Sequence, residues 1–250
     1  MTALLIDIGN TRLKWGLESA AGFTFGGGCE SQVDVIEGLY NGPWAELKPD
    51  SMLISCVGNK SIERCLVEQA STCWGIRAEL LVSPQQGCGI TNAYARPASL
   101  GSDRFAAMVA AYRQVKGPVC VVSSGTAVTL DAVDNDGRHL GGLILPGYGL
   151  MQVCLQKETQ LQFPVDLMLS GPAGLGQSTD RCIQQGTAMA ISSMVDKMVE
   201  TLKYALPGIR LLLTGGDAGL LQRGLCHDAS LEPHLVLKGL AFIYHEHSKA

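Results

Sequence analysis

Four short stretches of this chain carry residue types that could do chemistry on a phosphate-bearing ligand. The first is Asp7-Ile8-Gly9-Asn10-Thr11-Arg12-Leu13-Lys14. Gly9 lets the backbone approach a phosphate closely, Asn10 and Thr11 offer small donors, Lys14 adds a cation, and Asp7 can hold a hydrated divalent cation. There is no Gly-x-x-x-x-Gly-Lys-Ser/Thr, so a phosphate loop here is of the hairpin kind rather than the strand-loop-helix kind. The alternative is an ordinary N-terminal hairpin whose Asp and Asn suit the turn. The second stretch is Asp103-Arg104, which opens a helical pattern continued by Phe105, Met108, Val109 and Tyr112. An Asp in a first helical turn is explained by the helix dipole, but an Arg at that positive end is not, and it implies an anion nearby. The third and fourth are Ser123-Ser124-Gly125-Thr126 and Thr214-Gly215-Gly216-Asp217, glycine turns at the ends of apolar runs. Any one glycine turn is weak, because such turns occur in every α/β protein.

The elements that must position these residues follow from hydrophobic periodicity. Leu4 to Ile8 and Leu13 to Leu17 flank Gly9-Asn10-Thr11 as two strands of a tight hairpin. After Gly26-Gly27-Gly28 comes a mixed strand and short helix up to Pro49. Ser51 to Val57, Ser61 to Trp74 and Ala78 to Val82 then read as strand, helix and strand, a crossover unit in a sheet flanked by helices. A polar, turn-rich segment, Gly87 to Pro97, leads into the helix that starts at Asp103. Pro118 to Ser123, Ala127 to Val133 and His139 to Leu145 read as three further strands. A helix follows from Pro146-Gly147-Tyr148-Gly149 to about Gln160, then a loop from Gly171 to Gly176 and a long helix from Thr179 to Ala205. Ile209 to Leu213 is a strand with a helix after it, and a last helix runs from Pro233 to about His247. Its end, His245-Glu246-His247, could catch a metal but reads as a solvated tail. Strand, small glycine turn and strand occur at Asp7-Ile8-Gly9 and again at Ser123-Ser124-Gly125. A duplicated α/β fold is implied, with halves 1–115 and 116–250 and phosphates held in a cleft between them.

A chain of 250 residues with 46% hydrophobic content can bury a substantial core. A net charge of −4, without a Lys/Arg cluster to offset it locally, argues against a nucleic-acid surface. No apolar run approaches the roughly 20 residues needed to span a bilayer, and the N-terminus goes straight into a strand pattern, so a cytoplasmic protein without membrane partners is expected. The nine cysteines are odd in number and never spaced as Cys-x-x-Cys, which argues against disulfides and a structural zinc.

The motif set resembles that of the type III pantothenate kinases, members of the superfamily of sugar kinases, acetate kinases and actin. Asp7-x-Gly9-Asn10-Thr11-x-x-Lys14 resembles the family's first phosphate motif. Asn92-x-Tyr94 with Pro97-x-x-x-Gly101-x-Asp103-Arg104 resembles its pantothenate-binding and catalytic segment, the most specific of the set. Gly125-Thr126-Ala127-x-Thr129-x-Asp131 resembles the second phosphate motif, Gly141-Gly142-x-Ile144-x-Pro146-Gly147 the segment after it, and Thr214-Gly215-Gly216-Asp217 the adenosine segment.

The resemblance implies a duplicated actin-like, ribonuclease H-like fold and ATP-dependent phosphorylation of pantothenate to 4'-phosphopantothenate, the first step of coenzyme A biosynthesis. It implies Asp103 as general base and Tyr94, Gly101, Ser102, Asp103, Arg104 and Thr179 around pantothenate. Asp7, Ile8, Gly9, Asn10, Thr11, Arg12, Leu13, Lys14, Thr126, Gly215 and Gly216 would surround ATP, with Mg2+ at Asp7. It also implies a homodimer, and the small residues on the Thr179 to Ala205 helix suit close packing. One position departs from the family. Ser123 stands where the second phosphate motif begins with an Asp associated with an activating monovalent cation, K+ or NH4+, and a serine offers a neutral oxygen without charge. Two other classes remain open on sequence: a non-catalytic regulatory or binding protein on the same scaffold, and another small-molecule kinase of the superfamily.

Overall fold

The computed structural model describes residues 1–165 and 174–248, in two compact units. The first comprises residues 1–114 and 234–250, the second residues 115–233. The expected second half ran to residue 250, but the C-terminal helix belongs to the first unit. Of the expected loop from Gly171 to Gly176, residues 171–173 lie outside the described residues.

The first unit is built on the strands β1 (Ala3–Ile8), β2 (Arg12–Ser19), β3 (Gly22–Glu30), β4 (Ser51–Cys56) and β5 (Ala78–Leu80), with helices α1 (Val33–Tyr40) and α2 (Lys60–Trp74) between them. The sheet order is β3-β2-β1-β4-β5. The pairs β3/β2 and β2/β1 are antiparallel, whereas β1/β4 and β4/β5 are parallel. Side chains alternate across a strand. Leu4, Ile6 and Ile8 of β1, with Met52 and Ile54 of β4, pack under Ile36 and Leu39 of α1 and Ile62, Leu66 and Ala70 of α2. The opposite register positions carry Leu5 and Leu53 and then two polar residues, Asp7 and Ser55, paired across β1 and β4. Helix α2 starts on Asn59, whose side chain accepts the Ser61 N–H, and stops at Gly75 in the left-handed conformation.

A small hairpin, β6 (Gln86–Gly87) and β7 (Ile90–Thr91), precedes helix α3 (Ser102–Val115). In the second unit, β8 (Val119–Ser124), β9 (Ala127–Val133) and β10 (His139–Pro146) are followed by α4 (Tyr148–Glu158) and α5 (Thr179–Ala205). Strand β11 (Arg210–Thr214), helix α6 (Ala218–Gly224) and strand β12 (Ser230–Leu231) complete the unit. The order β10-β9-β8-β11-β12 and its senses repeat those of the first sheet strand for strand. Cys120, Val122, Val128, Leu130, Leu211 and Leu213 face Ile191, Val195 and Val199 of α5 and Leu220 and Leu221 of α6. The terminal strand β12 has no counterpart in the sequence reading, because two exposed residues leave no periodic signal.

The last helix, α7 (Leu235–His247), packs on β1, β2 and β4. Its end is not a solvated tail. His245 hydrogen-bonds Glu18 at 2.8 Å, His247 hydrogen-bonds Glu79 at 2.8 Å, and Glu246 takes two donors from other elements of the same unit. No group of three or more metal-ligating side chains occurs among the described residues. All nine cysteines are free.

Helix α7 lies so close to α3 that a Cβ on Gly239 would stand 1.9 Å from the carbonyl oxygen of Ala106. Alanine is ordinarily better than glycine inside a helix by about 1 kcal/mol. A backbone oxygen cannot step aside, however, and overpacking costs about 1–3 kcal/mol. Gly239→Ala is therefore expected to lower stability by roughly 1–2 kcal/mol net in urea unfolding. Stability equal to or above wild type would mean that the two helices separate freely.

Candidate active site

In the first unit the turn after β1 is held from three sides. Gly9 N donates to Arg12 O at 3.0 Å, closing the turn, and the Ser31 hydroxyl donates to Gly9 O at 3.0 Å. Gly58, following β4, lies where an added Cβ would stand 2.3 Å from Gly9 O, so only glycine permits that approach. Asn10, Thr11 and Arg12 are exposed and Lys14 is half-buried. The side chains of Ile8 and Leu13 are fully buried in the core cluster, so these residues can offer a ligand their main chain only.

Asp7 leaves β1 on the face opposite that core. Its Oδ1 is shielded from water and has no hydrogen-bond partner among the described residues. Burial pushes its carboxyl up to about 7, the charge of Asp103 adds to the rise, and Lys14 and a hydrogen bond from Ser55 partly oppose it. Two carboxylates held close together, one with an orphaned oxygen, are what a divalent cation would neutralise. The pair is brought together by a buried contact between β4 and α3, the Ser55 and Ser102 hydroxyls at 3.0 Å.

The start of α3 places the acceptor side. Asp103 Oδ1 accepts the Arg104 N–H at 2.8 Å. A Cβ on Gly101 would stand 2.6 Å from that same oxygen, so glycine there clears room for the carboxylate. Arg104 is buried and its Nη1 donates to the Tyr94 hydroxyl at 2.9 Å, with the guanidinium 5.7 Å from the ring centroid. Tyr94 is in turn set by Asn92, which is 2% exposed. The Asn92 amide donates to Pro84 O and Pro97 O, each at 3.2 Å, and its Oδ1 accepts the Tyr94 N–H at 3.0 Å. One side chain thus ties the segment before the hairpin, the segment after it and the approach to α3 into a single piece.

In the second unit three separated segments converge on the turn after β8. Gly147 N donates to Thr126 O at 2.9 Å, and a Cβ on Gly147 would stand 1.9 Å from Gly125 O. Gly215 has φ +98°, and its Cβ would stand 2.1 Å from Ser124 O, which also accepts the Asp217 N–H at 3.0 Å. Thr126 and Gly216 are exposed at this point. Ser123 is half-buried, paired with Thr129 on β9 and Thr214 on β11. Asp131, two residues along the same face, is buried against His139, Nε2 to Oδ1 at 3.0 Å. Thr179, the first residue of α5, lies exposed in this unit.

Ser31, Ser55 and Gly58 escape the sequence reading. Ser55 had a signal: it is a polar residue in an apolar strand, and a parallel pairing in register with β1 sets it beside Asp7. Ser31 and Gly58 had none, because their partner is a backbone carbonyl.

In overall fold the chain is similar to a Baf-family protein from Campylobacter jejuni, with TM-score 0.62 and 22% identity over 99% of this chain and 100% of that one. It is also similar to MreB 5 of Spiroplasma citri, with TM-score 0.51 and 10% identity over 99% of this chain and 97% of that one. The repeated sheet and its glycine-packed turns define an actin-like α/β fold. Within that class the family model of type III pantothenate kinases matches residues 3–201. A type III pantothenate kinase of Acidovorax ebreus is 35% identical over 251 aligned residues, covering 96% of this chain and 95% of that one. The chain belongs to the type III pantothenate kinase family.

Proposed function

We propose that this chain transfers the terminal phosphoryl group of ATP to the primary hydroxyl of pantothenate, giving 4'-phosphopantothenate for coenzyme A synthesis. The observation that carries this reading is the placement of Asp103 beside Asp7, with Arg104 and Tyr94 joined next to it. Asp103 accepts the hydroxyl proton, acting through position more than basicity, since phosphoryl transfer depends mainly on alignment and charge neutralisation. Arg104 and Tyr94 hold the acceptor, with Gly101 and Ser102 shaping the helix start, and Thr179 is a further pantothenate contact. The turn from Asp7 to Lys14 and the turn at Thr126 hold phosphates, and Gly215 and Gly216 accommodate adenosine. Bound ATP supplies the phosphoryl group, and its Mg2+, held through Asp7, neutralises charge on it. No helix among the described residues is long and apolar enough to cross a membrane.

Purified protein is expected to form 4'-phosphopantothenate from pantothenate and ATP, and Asp103→Asn to retain fold and nucleotide binding while losing about 100-fold or more in turnover. If the Asp were only a helix-start residue it would be worth well under about 1 kcal/mol, and the Asn variant would turn over at close to the wild-type rate.

The monovalent-cation position calls for a separate expectation. Ser123, Thr129 and Thr214 present neutral hydroxyls, and Asp131 is already engaged with His139. A hard cation binds an ionised oxygen better than a hydroxyl. Activity is therefore expected to need more K+ or NH4+ than a carboxylate site would, or none, and Ser123→Asp to shift the potassium titration to lower concentration. Superimposable titrations of the two proteins would remove Ser123 from any cation site.

We also propose a homodimer. Gly186, Met189 and Ala190 are exposed along α5, a face that allows close packing of a second helix. Light scattering at micromolar concentration should return twice the chain mass, and a monomer would contradict this.

A further inference from the structure

The short hairpin before Tyr94 does not hold itself. Strands β6 and β7 pair over two residues each, and an isolated two-stranded hairpin is marginal even when longer. Its turn residues are Cys88 at φ +54° and Gly89 at φ +85°, and the first of these is a left-handed conformation unfavourable for any residue with a Cβ. Gln85 and Asn92 pair at its base and Cys88 and Ile90 are buried, and the turn itself is clamped from the C-terminal helix. Glu246 Oε1 accepts the Cys88 N–H at 2.7 Å, and Glu246 Oε2 accepts from Arg113 Nη2 at 2.7 Å. Arg113 sits in the last turn of α3, the helix whose first turn carries Asp103 and Arg104, roughly 15 Å along its axis from Asp103. One carboxylate therefore joins the hairpin that leads to Tyr94 with the helix that carries Arg104.

We propose that Glu246 is a positioning residue for the acceptor substrate, locking the β6–β7 turn onto α3 and α7 so that Tyr94 stays in register with Arg104. This rests on the reading of Tyr94 and Arg104 as pantothenate-binding. The link runs through a short, stiff path: Thr91 ends β7, Asn92 anchors to Pro84 and Pro97, and its Oδ1 fixes the Tyr94 N–H. Arg113 also lies over the Phe242 ring of α7, 5.4 Å from its centroid, so α3 remains attached to α7 when the carboxylate is lost. Removing Glu246 thus frees the Cys88 turn in particular. The Cys88 N–H holds the Glu246 carboxyl below the usual range, and burial only partly opposes this, so the carboxylate stays ionised at neutral pH.

The test compares wild type, Glu246→Ala and Glu246→Gln in steady-state kinetics and in hydrogen exchange over residues 86–94. Glutamine keeps a neutral acceptor for the Cys88 N–H. Glu246→Ala is expected to raise KM for pantothenate by about 5–10-fold, with kcat and KM for ATP within about twofold, and Glu246→Gln to recover most of the loss. Amides of Cys88 to Tyr94 should exchange faster in the Ala variant alone. A merely stabilising contact would lower Tm and leave KM for pantothenate unchanged, and that result overturns the proposal whatever the exchange shows. Should wild type fail to phosphorylate pantothenate, the functional reading falls. The clamp then stands or falls on exchange alone, overturned by equal protection in wild type and Glu246→Ala.

Discussion

The contact on which this site depends is the buried hydrogen bond between Ser55 and Ser102. It joins strand β4 to the first residue of α3 and so sets how near Asp103 comes to Asp7. Two carboxylates repel, and in a partly water-shielded place the repulsion is several times what it is in bulk water. Burial of Asp7 and, after it, the charge of Asp103 push the Asp7 carboxyl up to about 7, with Lys14 and the Ser55 hydroxyl only partly offsetting the rise. A divalent cation bound there would release strain of this electrostatic kind, so a geometry that costs stability would favour the bound state.

The two units use one device to hold their turns. In each, a hairpin ends in a glycine turn, and the parallel strand beside the hairpin's first strand ends in a second glycine that packs against that turn. Gly58 does so against Gly9, and Gly215 against Ser124. A side chain at either second glycine would meet a backbone oxygen closer than 2.4 Å. The turn must remain open to ligand on one side, so it cannot be buttressed there, and support comes from behind by close backbone approach. The repetition of this detail, together with an identical strand order and sense, is a stronger sign of duplication than any similarity between the two turn sequences.

Much of this was legible in the sequence, for identifiable reasons. The hairpin from Leu4 to Leu17, the strand from Ala127 to Val133 and the helix from Thr179 to Ala205 carry clear periodicity or clean turn signals, and they appear with those bounds or nearly so. Asp103 and Arg104 could be placed at a helix start because Phe105, Met108, Val109 and Tyr112 recur at helical spacing behind them. The end of the chain was misread. His245, Glu246 and His247 look like a solvated tail, since their partners Glu18, Cys88, Arg113 and Glu79 are scattered through the chain and no local pattern connects them. For the same reason the C-terminal helix could not be assigned to the first unit. Periodicity says that a helix has an apolar face but not which sheet receives it.

The duplication makes one comparison possible that neither unit allows alone. Asp7 pairs in register with Lys14 on one side and Ser55 on the other. Its counterpart Ser123 pairs with Thr129 and Thr214. The same three places therefore hold an acid, a base and a hydroxyl in the first unit and three hydroxyls in the second. The one acid nearby in the second sheet, Asp131, is buried against His139. A buried acid without a partner would be costly, and removing the histidine would leave one, so the pair is better understood as holding the sheet than as awaiting a ligand. Charge for phosphoryl chemistry is thus concentrated in the first unit, whereas the second offers backbone donors and small hydroxyls around Gly125 and Gly215.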